Sequence, residues 1–361
     1  MKKQILFLVM ALFSTTFAFG QVNTTAKPGS APNTLTGCAD DALHPIAGKP
    51  YTYKLTGTPV GGTYTWWATT DPNFISTTGT TTTNNLSTKL GSPTTTPVGT
   101  ALTATSANYG TTGATDEVSI TWGSTILSTT TYNTAPTFVV GYYEALTPNC
   151  ADNLKVYQLD PKNGFIVDIR NIDGTTIKGY SEAIAQCIDD VRSAKFVTNQ
   201  VEYNFGTNIM AYEVVAANFS EEWTPAFTLT GLNAAQSSLI QWTYDAPATW
   251  SATTVWNAAT DKVVTTETNT STGVSIYVRV TISNNTYEGI ADTPVTLAVA
   301  GTNKDSEIDV NNADCTEPAT LVLAAADDTA VQTLTQRPTI TPGTVGAPAP
   351  NTTIVTGNNV N

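Results

Sequence analysis

Acidic side chains are the main chemical resource of this chain, which carries 29 Asp and Glu against 16 Lys and Arg and a single histidine. The densest group runs through NKDSEIDVNNAD, where Asp305, Glu307, Asp309, Asn311 and Asp314 offer oxygen ligands at nearly alternating positions. Calcium takes roughly six to eight such oxygens in loose geometry, so these five residues form a candidate calcium site. The EF-hand glycine and its terminal bidentate glutamate do not occur at the required spacing. A solvated acidic loop is the competing reading.

Glycoside hydrolysis also needs carboxyls, two of them facing each other across a sugar. The acids here come as sequence neighbours: Asp40-Asp41, Asp116-Glu117, Asp189-Asp190 and Glu221-Glu222. Adjacency of that kind is what an acidic surface produces, and it does not place two carboxyls across a cleft. His44, alone in the chain, excludes multi-histidine zinc sites, and no G-x-S-x-G phrase accompanies it. A glycine-rich phosphate cradle is lacking as well. The formal charge of −13 repels phosphate backbones, so nucleic acid is not an expected partner. The expectation is a protein without enzymatic activity or cofactor, calcium aside.

Aromatic residues supply a different chemistry, since flat rings bind sugar faces as well as fill cores. Trp250 and Trp256, in the loose segment ATWSATTVW, are the candidate glycan-binding surface residues, whereas Trp242 alternates as a core residue in SLIQWTY. Within TYTWWA, Trp66 and Trp67 must point to opposite faces of a strand. One of them is expected in the core with Trp122 and the other at the surface.

The elements that position these groups read as strands. Charged residues make up only 12% of the chain, and the polar surface falls to Thr, Ser and Asn, which suits a half-exposed pleated sheet rather than a helix. Alternating runs punctuated by turn residues predict strands from Tyr51–Leu55 onwards, including a hairpin of Tyr51–Leu55 with Thr63–Ala68, single strands over Phe196–Tyr203 and Val274–Ser283, and many between. Tyr180–Val191 is the one helical candidate, from the spacing of Ala183, Ile184, Cys187, Ile188 and Val191. The fold class expected is all-β: tandem immunoglobulin-like β-sandwiches with one short helix in the second domain.

Residues 1–20, with a Lys pair, an apolar run and a small-residue end, have the form of a signal peptide cut before Gln21. A flexible lead-in over 21–37 follows, then a first sandwich over 38–150 and a second over 151–301. An acidic segment over 302–335 is expected to pack on or extend the second domain, ahead of a flexible tail over 336–361. After leader removal no apolar segment is long enough to span a membrane. In an exported protein the four cysteines suggest disulfides. Cys38–Cys150 with Cys187–Cys315 is one pairing; Cys150–Cys187 with the others free or paired across domains is another.

The phrases YTYKLTGTPVGGTYTWW, DEVSITW, CADNLKVYQLDPKNGFIVDI, NIMAYEVVAANF and SIYVRVTISNNTYEGIADTPVTLAV resemble the immunoglobulin-like and PKD-like modules of Bacteroidota surface and secreted proteins. The likeness covers most of the mature chain and lies in strand style and order. It implies a secreted or cell-surface location, with the periplasm as the alternative. The ending TGNNVN does not match the sorting domain of type IX export, so Sec export is expected. The function expected is structural or adhesive, through protein partners or self-association at the cell surface. Glycan binding is the alternative, and a carboxylate hydrolase is a third reading.

Overall fold

The structure, a computed structural model, describes residues 40–58, 61–70, 101–102, 109–114, 116–145, 153–246, 253–267, 269–310 and 328–340. The leader, the lead-in, much of the Thr-rich tract, Cys38, Cys150, Cys315, Trp250, Asn311, Asp314 and the tail beyond 340 lie outside these residues.

The first unit contains β1 (Pro50–Lys54), β2 (Thr63–Thr69), β3 (Ala101–Leu102), β4 (Tyr109–Ala114), β5 (Glu117–Trp122), α1 (Ser124–Thr129), β6 (Phe138–Glu144) and β7 (Asn153–Gln158). They form two sheets, ordered β1-β5-β3 and β4-β2-β6-β7. β1 and β2, expected as a hairpin, therefore sit in opposite layers, and the core between them holds Tyr53, Trp66, Ile120, Trp122 and Val139. Trp122 donates its indole N–H to the Tyr53 hydroxyl at 3.1 Å, which satisfies the polar handle of a buried ring. One member of the Trp66–Trp67 pair is expected at the surface, but Trp67 is buried as well as Trp66. Trp67 joins Phe138, Val140 and Tyr142 on the other face of the same sheet. The unbroken apolar run FVVGYY in β6 is the sequence mark of a strand covered on both sides.

The second unit is built from β8 (Ile166–Asp173), β9 (Thr176–Tyr180), β10 (Ile184–Cys187), β11 (Ser193–Val197), β12 (Gln200–Asn204), β13 (Thr207–Ala217), β14 (Glu222–Thr230), β15 (Ser237–Thr243), β16 (Thr254–Val255), β17 (Val263–Val264), β18 (Val274–Ser283), β19 (Thr293–Asn303) and β20 (Thr329–Thr335). A six-stranded sheet, β16-β15-β18-β13-β8-β9, packs on a five-stranded one, β10-β20-β19-β14-β17. β18 shows why: Ile276, Val278, Val280 and Ile282 alternate inward and are fully buried, opposite Val214, Tyr212 and Met210 of β13 in antiparallel register. Burying each such side chain contributes about 1.5–3 kcal/mol.

The helix expected over Tyr180–Val191 is not formed. Its centre is β10, which pairs in parallel with β20, a strand more than 140 residues away by number (332 against 184). A tertiary pairing of this kind overrides a local pattern that is ambiguous over so short a run. The helix among the described residues is α1 in the first unit, where Ile126 and Leu127 are buried. β7, expected to open the second sandwich, instead pairs with β6 in the first.

The two units meet along a polar seam. Gly48 donates its N–H to the Trp122 carbonyl and accepts from the Thr270 N–H, both at 2.9 Å. Its φ is +69°, and a Cβ there would lie 2.1 Å from Thr270 Oγ1, so the position takes only glycine. Nearby, Ser124 donates its N–H to Ser220 Oγ at 2.8 Å and its hydroxyl to Asp305 Oδ2 at 2.6 Å.

Candidate interaction surface

The segment Phe196–Tyr203, expected as one strand, is the middle of a hairpin. Among the described residues β11 and β12 pair only with each other, joined by the two-residue turn Thr198-Asn199. Both turn residues have positive φ, 45° and 68°, the signature of a type I′ turn whose twist matches the flanking strands. Asn tolerates that conformation, but the pair lacks the glycine that marks such turns in a sequence.

The register sets Ala194 against Tyr203 and Phe196 against Val201, with Lys195 opposite Glu202 between them. Because side chains alternate, Ala194, Phe196, Val201 and Tyr203 share one face, and Ser193, Lys195, Gln200, Glu202 and Asn204 share the other with Val197. An amphipathic ribbon of this kind ordinarily lays its apolar side on a core. Here that side faces solvent: Phe196 is 73% exposed, Val201 49% and Tyr203 47%.

The ribbon rises from a firm root. Arg192 donates to Asp189 from Nε at 2.9 Å and from Nη2 at 2.6 Å, and its backbone N–H reaches the Asn204 carbonyl at 2.8 Å. The guanidinium bonds, with the Thr207 N–H, hold the Asp189 carboxyl down at about 2. Arg337, just past β20, donates to the carbonyls of Asp189 and Glu288 and lies 5.2 Å over the Phe205 ring, which in turn stacks on Tyr203. The root is thus tied to three separate segments, while the two strands above it join no other sheet among the described residues.

A shallow cleft of about 280 Å³ lies near this root, where the β8–β9 turn leaves part of the β13 edge open. Gln186 and Gln332 fill the gap with side-chain amides, donating to the carbonyls of Ile209 at 3.2 Å and Ala211 at 2.9 Å. Among the described residues the lining holds one carboxylate, Asp173, and one guanidinium, Arg279, and no Ser, Cys or His. Both charges are engaged: Asp173 with Lys178 at 3.2 Å, Arg279 with Gln241 and Thr253. Among the described lining residues no nucleophile is paired with a base.

The acids singled out in the sequence have separate tasks. Asp305 accepts hydroxyl bonds from Ser124 and Thr125 at the seam. Glu307 accepts from Asn303 Nδ2 at 2.6 Å, and burial pushes its carboxyl up. Asp309 accepts the Val167 N–H at 3.0 Å; burial, helped by the nearby Asp328 charge, pushes it up to about 7. Asn311 and Asp314 lie outside the described residues, and among those described no three His, Cys, Asp or Glu gather as metal ligands.

The neighbouring carboxylate pairs are met by cations. Lys49 contacts Asp40, Lys54 contacts both Asp116 and Glu117, Arg192 contacts Asp189, Lys304 contacts Glu221, and Lys262 contacts Glu222. His44 is buried and holds Asp41 Oδ1 through Nδ1 at 2.8 Å, closing a loop. Trp256 is half-buried and packs edge-on against Phe227 and Trp242. Trp250 lies outside the described residues, as do three of the four cysteines; the fourth, Cys187, is exposed at the end of β10. Sequence reasoning passed over the ribbon because a run of β-formers without glycine reads as one strand.

Neither a protein-family model nor a curated protein matches the chain. Among solved structures it is similar to the N-terminal domain of PorA, at 11% identity over 46% of this chain and 95% of that one, with a TM-score of 0.20. It is also similar to the full-length major pilin SpaD from Corynebacterium diphtheriae, at 9% identity over 78% and 62% of the two chains, with a TM-score of 0.22. The fimbrial protein FimP from Actonomyces oris matches at 10% identity over 82% and 69%, with a TM-score of 0.20. Scores this low carry no argument about the present chain. No helix among the described residues is long and apolar enough to cross a membrane.

Proposed function

We propose that this chain is a non-enzymatic structural or adhesive protein of the cell exterior, a subunit of a surface assembly whose contact element is the ribbon β11–β12. The observation that carries the reading is the solvent-facing apolar side of that ribbon, set on a root held by charged hydrogen bonds. An exposed apolar patch on a soluble surface marks a site of contact. Two strands standing alone gain little stability from each other, so the element is poorly explained by folding and well explained by binding. The engaged carboxylates and the reactant-poor cleft support the absence of catalysis.

The test is adherence. Cells displaying the full-length chain should bind to one another or to a surface, and the double substitution Phe196→Ser/Val201→Ser should abolish that while leaving thermal unfolding unchanged. Adherence equal to wild type would overturn the proposal. Hydrolysis of a polysaccharide panel, lost on a single Asp or Glu change, would overturn its non-enzymatic part.

A further inference from the structure

The proposed contact face has an internal geometry that specifies more than apolar character. Its four side chains stand at the corners of a rectangle. Ala194 and Tyr203 face each other across the strands, and so do Phe196 and Val201 one step toward the tip. The two large rings, Phe196 and Tyr203, therefore occupy one diagonal, and the two smaller side chains, Ala194 and Val201, the other.

Laying a second such face on the first by a two-fold axis parallel to the strands carries Phe196 onto Val201 and Tyr203 onto Ala194. An in-plane axis perpendicular to the strands carries Phe196 onto Ala194 and Tyr203 onto Val201. In either case each ring of one copy meets a smaller side chain of the other, which is the interdigitation a packed interface needs. A two-fold contact must be self-complementary, and this face is.

We infer that the partner of the ribbon is a second copy of this chain, docked face to face through Ala194, Phe196, Val201 and Tyr203 in a two-fold contact. Charge favours the same occupant. Two copies of a chain with net charge −13 repel each other, yet β11 and β12 carry one Lys and one Glu, opposite each other on the polar side. At the root Arg192 is matched by Asp189. The ribbon is thus a near-neutral prominence where two acidic molecules approach with least opposition. Four side chains per copy are far fewer than the ~20–30 residues a side of a standard stable interface. The contact is therefore weak, and formed where copies are concentrated.

This inference rests on the ribbon being the contact element, and the experiment separates the two. Full-length mature protein is followed by sedimentation equilibrium over increasing concentration, beside Phe196→Ser, Phe196→Leu and Ala194→Phe variants, each checked for an unchanged unfolding midpoint. The wild type should dimerise reversibly. Phe196→Ser should raise the dissociation constant about thirtyfold, as expected for truncating an aromatic anchor, and Phe196→Leu should largely retain dimers. Ala194→Phe places a ring on the small diagonal and should weaken the dimer although it adds apolar surface; a stronger dimer would overturn the diagonal packing. A wild type monomeric at every concentration, or a dimer indifferent to Phe196→Ser, overturns the inference. If the chain stays monomeric while adherence still depends on Phe196 and Val201, the contact element stands and the second copy falls. If dimers form as described while adherence ignores both residues, the inference stands and the adhesive reading falls.

Discussion

β20 and the ribbon β11–β12 are made of similar material and meet opposite fates. β20, TAVQTLT, sends Ala330, Gln332 and Leu334 inward, and all three are buried although one is a polar amide. The ribbon has a more apolar side, with two rings and a valine, and that side is in solvent. What separates them is the neighbourhood. β20 lies between β10 and β19 and faces a second sheet, so its amide finds the Ala211 carbonyl and its leucine finds a core. Among the described residues the ribbon has no second layer. Burial here follows topology, and the apolar side of the ribbon is left exposed.

The largest expected effect is at Leu334. Truncation to Ala should cost about 2–5 kcal/mol, because a fully buried position surrounded by two sheets cannot collapse around the void. Denaturant unfolding measures it, and a change under about 0.5 kcal/mol, the size expected for a surface position, would place β20 with the ribbon instead. Gln332→Leu tests the polar half of the contrast. It removes the donor to the Ala211 carbonyl and should destabilise by about 1–3 kcal/mol despite being more apolar.

Asp309 sharpens the picture of the segment that precedes β20. Its carboxyl is raised from an ordinary value near 3.8 to about 7, by burial and then by Asp328. The folded state therefore holds a proton that the unfolded chain has released, and stability is full below the unfolded value and lost as pH rises through about 7. Asp309→Asn keeps an acceptor for the Val167 N–H and should flatten the unfolding midpoint between about pH 4 and pH 7. A midpoint that rises with pH in wild type would contradict the assignment. The smallest effect belongs to Phe196→Ser in the isolated molecule, with an unfolding free energy within about 0.5 kcal/mol of wild type. A larger loss would mean that the ring is packed in the monomer and would remove the contrast with β20.

Much of the second sandwich was legible in advance. Val274–Ser283 is a strand with the same limits read from its alternation, since a strand with one buried face writes that face into every second residue. The ribbon was misread because Thr198-Asn199 makes a tight turn without glycine, and the helix over Tyr180–Val191 was misread because strand and helix periods cannot be told apart over so few residues. The burial of both Trp66 and Trp67 was not legible because adjacent ring positions do not say that a sheet is covered twice.

Composition and alternation determined the all-β class and which side chains of a strand travel together, because these depend on residue type and a period of two. Which strand neighbours which, and so which apolar face is covered, was decided only in three dimensions. Pairing partners such as β10 and β20 are chosen by contacts between distant parts of the chain, and no local pattern records whether a second layer arrives to cover a given face. The exposed side of β11–β12 belongs to this second kind of information: its residues are written in the sequence, and its availability is a property of the fold.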